Sequence, residues 1–142
     1  MNAQQMWEAF GGRGEYEAWR FGGDADALAE LVLAGKKTAT ASAYPLYELE
    51  NEPLPKAGEY SVILDSRDEA VCVIQTTKVY VVPFDQVSPG HAAREGEGDL
   101  SLADWRAVHR TFFAGELEAA GLTFHESMKV VCEEFAKVFP AG

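Results

Sequence analysis

Residues 70–82 of the chain read AVCVIQTTKVYVV, a run almost unbroken in apolar, β-branched side chains at VCVI and VYVV. A half-buried strand would alternate apolar with polar; this run predicts a strand buried on both faces. Just upstream, residues 60–64 (YSVIL) lie across a polar DSRDE turn, and the two segments predict a β-hairpin. The longest apolar run, residues 79–84, is interrupted by Pro83 and is far too short to span a bilayer, so no membrane partner is expected.

Around that hairpin the pattern is mostly helical. MWEAF is stopped by Gly11-Gly12, residues 15–20 read as a second short helix, and Asp24 is placed to cap ADALAELVLA. Ala25, Leu28, Ala29 and Val32 share one face of that helix, and Gly35 is placed to end it. KKTATAS then reads as a short β-tolerant stretch, and YPLYELENEPLPKAGE, with its three prolines and several acids, as an exposed excursion. Ser88-Pro89 has the form of a cap followed by proline at the first helical position, opening a turn through residues 90–95. Ser101 caps LADWRAVHRTFF, with Asp104 at the capping-box position and Leu102, Trp105, Val108 and Phe112 recurring at helical spacing. Residues 128–139 predict a closing strand. The order predicts a single α+β domain over residues 1–142, with few enough strands to favour a small curled sheet or β-barrel flanked by helices.

Charge narrows the function classes. Twelve Lys+Arg against 23 Asp+Glu give a net charge of −11 over 142 residues. Such a chain repels phosphate backbones at long range, which disfavours a protein that coats nucleic acid but leaves room for a local basic cleft. Hydrophobic residues at 47% and charged residues at 25% argue against global disorder. Cys72 and Cys132 both sit in β-like runs and read as reduced core thiols rather than a disulfide or a metal pair. The first residues lack the basic-then-apolar pattern of a secretory signal, so a cytoplasmic location is expected.

Two segments carry candidate chemistry. In Gly35-Lys36-Lys37-Thr38-Ala39-Thr40 an ammonium stands close to a hydroxyl, a pairing that serves either as base and nucleophile or as a holder of an oxyanion or phosphate. A regular strand points Lys37 and Thr40 to opposite faces, so they converge only if Lys37 still belongs to the corner or a bulge intervenes. In His91-Ala-Ala-Arg94-Glu95-Gly-Glu97-Gly-Asp99, His91 and Glu95 lie four apart and meet on one helical face. The acids at 95, 97 and 99 have ligand chemistry for Mg²⁺ or Mn²⁺, although a glycine-softened connection with solvated, helix-capping acids is the better account of Glu97 and Asp99. His109, four after Trp105, reads as a packed, hydrogen-bonded histidine. Tyr44 and Tyr47 are candidates for stacking on a base. The histidines and cysteines form no zinc pattern, and no nucleophile elbow or phosphate loop is present.

Together these pieces resemble the ASCH family, small domains related to the PUA fold. The resemblance runs through YEAWRFGG, LVLAGKKTAT, VCVIQTTKVYVVPF, HAAREGEGDLSLADWRAVHRTFF and VVCEEF, with Gly35, Lys37 and Thr40 forming the hallmark Gly-x-Lys-x-x-Thr. It implies a curled β-barrel flanked by helices, with a cleft between the hallmark corner and the acidic turn. ASCH proteins have been proposed to bind RNA; some small bacterial members remove the acetyl group from acetylcytidine, and another is a metal-dependent ribonuclease for single strands. Carried over from the amidohydrolase type, the catalytic residues are Lys37, Thr40 and Glu95. Gly35, Lys36, Arg94 and Tyr44 are the residues expected to bind substrate. The leading expectation is therefore an amidohydrolase on acylated cytidine that needs no cofactor. The alternatives are a ribonuclease using Mn²⁺ or Mg²⁺ and a non-catalytic RNA-binding module, so the partner is a small nucleoside or single-stranded RNA. The chain is longer than the compact amidohydrolases, with extra N-terminal helices and the acidic excursion.

Overall fold

In the computed structural model, which describes residues 1–141, the hairpin forms the middle of a five-stranded sheet. Strands β3 (Tyr60–Leu64) and β4 (Ala70–Pro83) pair antiparallel, with Tyr60 opposite Gln75 and a register shift after Ile63. On the other side β4 pairs antiparallel with β5 (Lys129–Phe139), which in turn pairs antiparallel with β2 (Ala39–Ala43). The short β1 (Glu17–Trp19) runs parallel to β3, giving the order β1-β3-β4-β5-β2. The β4–β5 register slips at Val73/Ile74 and again at Thr76/Lys78. Slips of this kind bend and overtwist a long pair, and the sheet curls into a half-barrel.

Helices α1 (Ala3–Phe10), α2 (Ala25–Leu33), α4 (Pro89–Arg94) and α5 (Leu102–Ala119) cover the sheet in three packed groups. Met6 and Trp7 of α1 bury against Val62 and Val73. Ala29 and Val32 of α2 pack with Phe21, Ile63, Cys72, Ile74 and Phe135. Trp105, Phe113 and Leu117 of α5 and Ala92 of α4 enclose Phe84, Val130 and Cys132. The caps fall where the sequence placed them: Asp24 accepts from the Ala27 amide, Ser88 from His91 and Ser101 from Asp104. Both cysteines are free and buried, and burial pushes each thiol up to about 12, so they are inert packing groups.

Four local expectations are corrected. Residues 15–20 do not form a helix: Glu17–Trp19 is β1, because pairing along the β3 edge and packing of Trp19 on Phe21 override the helical preference of a Glu-Ala pair. The excursion is not wholly irregular; it opens with helix α3 (Tyr44–Glu50), whose first turn takes Pro45 where a missing N–H costs nothing. Strand β4 is enclosed on both faces only in its first half. From Thr77 on it is partly exposed, Val81 reaching 37%, since only Tyr80 and Val82 turn toward the α5 cluster. The buried stripe of α5 is Trp105, His109, Phe113 and Leu117, while Val108 and Phe112 are 50% and 37% exposed.

Candidate functional site

The hallmark corner is built by main-chain bonds. Gly35 ends the α2 region at φ +78°, a conformation that suits a residue without Cβ, and the amides of Lys36 and Lys37 both return to the Leu31 carbonyl. The Thr38 amide then donates to the Arg94 carbonyl at 2.8 Å, and the Thr38 carbonyl accepts from the Phe135 amide at 2.9 Å. The corner is thereby clamped between the end of α4 and strand β5. Gly96 (φ +72°) closes the clamp from outside; a Cβ there would collide with the Lys36 carbonyl.

Inside the clamp lies a buried polar network. Lys37 is only 2% exposed, and its Nζ donates to Glu97 Oε2 at 2.8 Å, to the Glu95 carbonyl at 3.3 Å and to Glu95 Oε1 at 3.4 Å. Those three acceptors use all three ammonium protons. Glu95 is 1% exposed. Its Oε2 lies 2.7 Å from both His91 Nε2 and Trp105 Nε1, and its Oε1 lies 3.3 Å from His109 Nε2. Burial by itself would raise the Glu95 carboxyl, but the hydrogen bonds from His109 and His91 and the charge of Lys37 outweigh it and hold the group well below the usual carboxylate range. His109 also stacks on Trp105, centroids 4.2 Å apart, and its Nδ1 meets the Trp105 carbonyl at 2.9 Å. Contact between His91 and Glu95 follows the four-residue spacing. Glu97 does not follow expectation: it is not a solvated linker acid, because the turn at Gly96 swings it back over the corner to Lys37. Asp99 does accept from the Ser101 amide at the start of α5.

Glu95, Glu97 and His109 offer ligand atoms within 4.8 Å of one another. As a divalent-cation site the set fits poorly, since the Lys37 ammonium already occupies the space facing both carboxylates and a metal there would meet a like charge at contact distance.

Thr40 belongs to a different place. Alternation along β2 turns Thr40 and Ser42 toward a cavity of about 580 Å³, while Ala41 and Ala43 pack on the α5 cluster. Phe21 separates the two regions: it lines the cavity, and Lys37 Nζ sits 5.2 Å from its ring centroid. Trp19, Tyr47 and Phe112 add aromatic walls, and the Tyr47 hydroxyl is 2.9 Å from Ser42 Oγ. The cavity's charged lining is Arg20 against Glu17, Glu52, Glu59, Glu116 and Glu133. The remaining expected binding residues lie outside it. Lys36 is exposed on a neighbouring groove with Gly96 and Glu97, Arg94 lies 3.9 Å from Glu134, and Tyr44 sits under Lys129.

Glu133 also lines the cavity, and no sequence motif points to it. It stands directly across from Thr40 in the β2–β5 register and faces the cavity. Burial, then the neighbouring Glu59 and Glu17, push its carboxyl up to about 7. In VVCEEF the only available signal was a glutamate pair inside an apolar strand.

The family model of the ASCH domain matches residues 17–139. An ASCH domain from Lactobacillus crispatus JV V101 is 33% identical and superposes with a TM-score of 0.87 over 95% of this chain and 92% of that one. A protein from Enterococcus faecalis V583 is 34% identical, with a TM-score of 0.84 over 96% of this chain and 86% of that one. The ASCH protein of Zymomonas mobilis, 11% identical with a TM-score of 0.54, covers 86% of this chain and 68% of its own, and shares the fold alone. No curated protein matches the chain. With the hallmark corner in place, the half-barrel around it and these two relatives, the chain belongs to the ASCH family of PUA-like domains.

Proposed function

We propose that this ASCH domain, from a family of RNA-binding PUA-like domains, is a hydrolase that removes the acyl group from a small acylated cytidine held in the cavity. The observation that carries this reading is the placement of Thr40, the hydroxyl of the hallmark, on the wall of a cavity of about 580 Å³. That volume lies within the range of small-molecule sites, and the aromatic walls suit a flat heterocycle. Five glutamates against one arginine on the lining favour a neutral nucleoside over a phosphodiester chain.

Amide hydrolysis needs an attacking oxygen, a group to take its proton and a proton for the departing nitrogen. In this reading Thr40, or a water it orients, attacks the acyl carbonyl. If Thr40 attacks, the carbon–nitrogen bond breaks as the hydroxyl proton passes to the cytosine amine, and water then cleaves the acyl-threonine ester, its hydroxyl going to the released acid and its proton back to Thr40. If a water attacks, its hydroxyl goes to the acid and its proton to the amine. Lys37 and Glu95 lie behind Phe21 with their hydrogen-bonding atoms engaged, so they act here as positioning residues for the corner that leads into β2. Direct contact between Lys37 and substrate requires Phe21 to move aside.

The test is an ultraviolet-monitored turnover assay of acetylcytidine in EDTA. The wild type is expected to turn over, and Thr40→Ala to lose roughly 100-fold or more in kcat. Lys37→Ala is expected to lose activity together with thermal stability, whereas a purely chemical role would leave stability unchanged. Absence of turnover of any acylated nucleoside overturns the reading. Cleavage of a single-stranded oligonucleotide that appears only with Mn²⁺ would assign the domain to ribonuclease chemistry instead.

A further inference from the structure

Glu133 is a carboxyl without a partner in the cavity proposed to hold the nucleoside. Among the described residues no hydrogen bond or ion pair engages that carboxyl, although ion pairs elsewhere account for Glu95, Glu97, Glu126 and Glu134. Its surroundings are acidic. Glu17 of β1 and Glu59, just before β3, face it most closely; Tyr47 and Glu52 stand on the α3 side and Glu116 on α5, with Arg20 as the one cation of the lining. The cross-strand register sets its side chain beside Thr40.

We propose that Glu133 is the base-recognition residue of the cavity, pairing with the donor–acceptor edge of a cytosine-type ring and so fixing the acyl group against Thr40. This rests on the placement of the nucleoside in the cavity. A protonated carboxyl carries one O–H donor and one carbonyl acceptor side by side. The cytosine edge presents a ring nitrogen that accepts and an exocyclic N–H that donates, and the acylated amine keeps that N–H. The two groups form a matched pair with two hydrogen bonds and no net charge. An ionised carboxylate offers acceptors only and faces the ring nitrogen with a repulsive lone pair. Burial and the flanking acids keep Glu133 protonated up to about neutral pH, which supplies the donor at the point where the base needs it.

The probe is cytidine, titrated by calorimetry against the full chain at about pH 6 and about pH 8.5, spanning the Glu133 titration. Wild-type affinity is expected to fall about tenfold or more between the two. Glu133→Gln, which carries a permanent N–H donor beside a carbonyl, is expected to bind at both pH values within about threefold of the wild type at the lower pH. Glu133→Ala is expected to bind weakly at both. Thermal melts of each variant separate lost binding from lost folding. Affinity independent of pH in the wild type, unchanged affinity in Glu133→Ala, or no cytidine binding at either pH overturns the assignment. The hydrolase reading is judged separately: acetylcytidine turnover without pH-dependent binding removes Glu133 and keeps the reaction, while pH-dependent binding without turnover does the reverse.

Discussion

Four donors converge on the Glu95 carboxylate, from His91, Trp105, His109 and Lys37, and a glutamine in its place accepts through one oxygen while its amide nitrogen meets two of those donors head on. Glu95→Gln is therefore expected to destabilise the fold by about 3 kcal/mol, the scale of breaking a buried charge pair from one side, measured by urea unfolding. The Glu95 carboxyl is depressed in the folded state, so its contribution is complete above the ordinary value of 4.5 and is lost as pH falls below it. Glu133 has the opposite sign. Raised to about 7, it favours the folded state fully below the ordinary value of 4.5, and that preference is lost as pH rises through 7. Glu133→Gln is thus expected to leave the melting temperature unchanged near pH 4 and to raise it near pH 8.5, the gain in stability there being up to roughly 3 kcal/mol, read from paired thermal scans. A melting curve for Glu133→Gln that tracks the wild type at both pH values would contradict this. Lys37 and Glu95 could be found from their motifs because helix spacing and a corner glycine are local signals. Glu133 could not, because its neighbours Glu17 and Glu59 reach it only through the curled sheet.

At the level of elements, the hairpin and the capped starts of α2, α4 and α5 were legible because each rests on contiguous residues: a polar turn between β-branched runs, or a serine or aspartate before an apolar stripe. The face of α5 was not. Counting apolar side chains selects Val108 and Phe112, but the helix turns His109 inward because Glu95 gives it a buried partner, and Phe112 goes to the cavity rim against Gly22. Similarly β1 is a strand only because β3 has an open edge. The joint between α4 and the corner depends on one residue. Gly96 holds a left-handed φ of +72° and approaches the Lys36 and Lys37 backbone where no side chain fits. Gly96→Ala is expected to cost more than the ~1–2 kcal/mol of a left-handed alanine, since the neighbour is main chain and cannot rotate away. Backbone amide exchange should show the loss at Thr38, whose N–H is held by Arg94. Unchanged protection at Thr38 in a folded Gly96→Ala protein would mean the corner does not depend on this joint.

Over the whole molecule the charge of −11 and the acidic cavity lining point the same way. Binding that neutralises phosphates releases counterions, so its strength falls steeply as salt rises; binding of an uncharged heterocycle through paired hydrogen bonds and aromatic walls releases none. The half-barrel presents Arg20 as the one basic group on the cavity lining, and the two arginines of α5 are turned elsewhere, Arg106 to the Asp85 carbonyl and Arg110 to Glu126. Cytidine affinity measured at about pH 6 is accordingly expected to change by less than about twofold between roughly 50 and 300 mM salt, a range over which binding that neutralises about six phosphates would weaken by orders of magnitude. A single-stranded oligonucleotide of the same base is expected to bind no more tightly than the nucleoside, because each added phosphate enters a negative field. If the oligonucleotide instead binds more tightly and its affinity falls steeply with salt, the ligand surface lies outside the cavity, on the face where Lys36 and Arg94 are exposed beside α4. In that case removing Lys36 and Arg94 together would reduce the salt slope by about 1.4, roughly 0.7 for each single-strand phosphate no longer neutralised, and would leave cytidine binding unchanged.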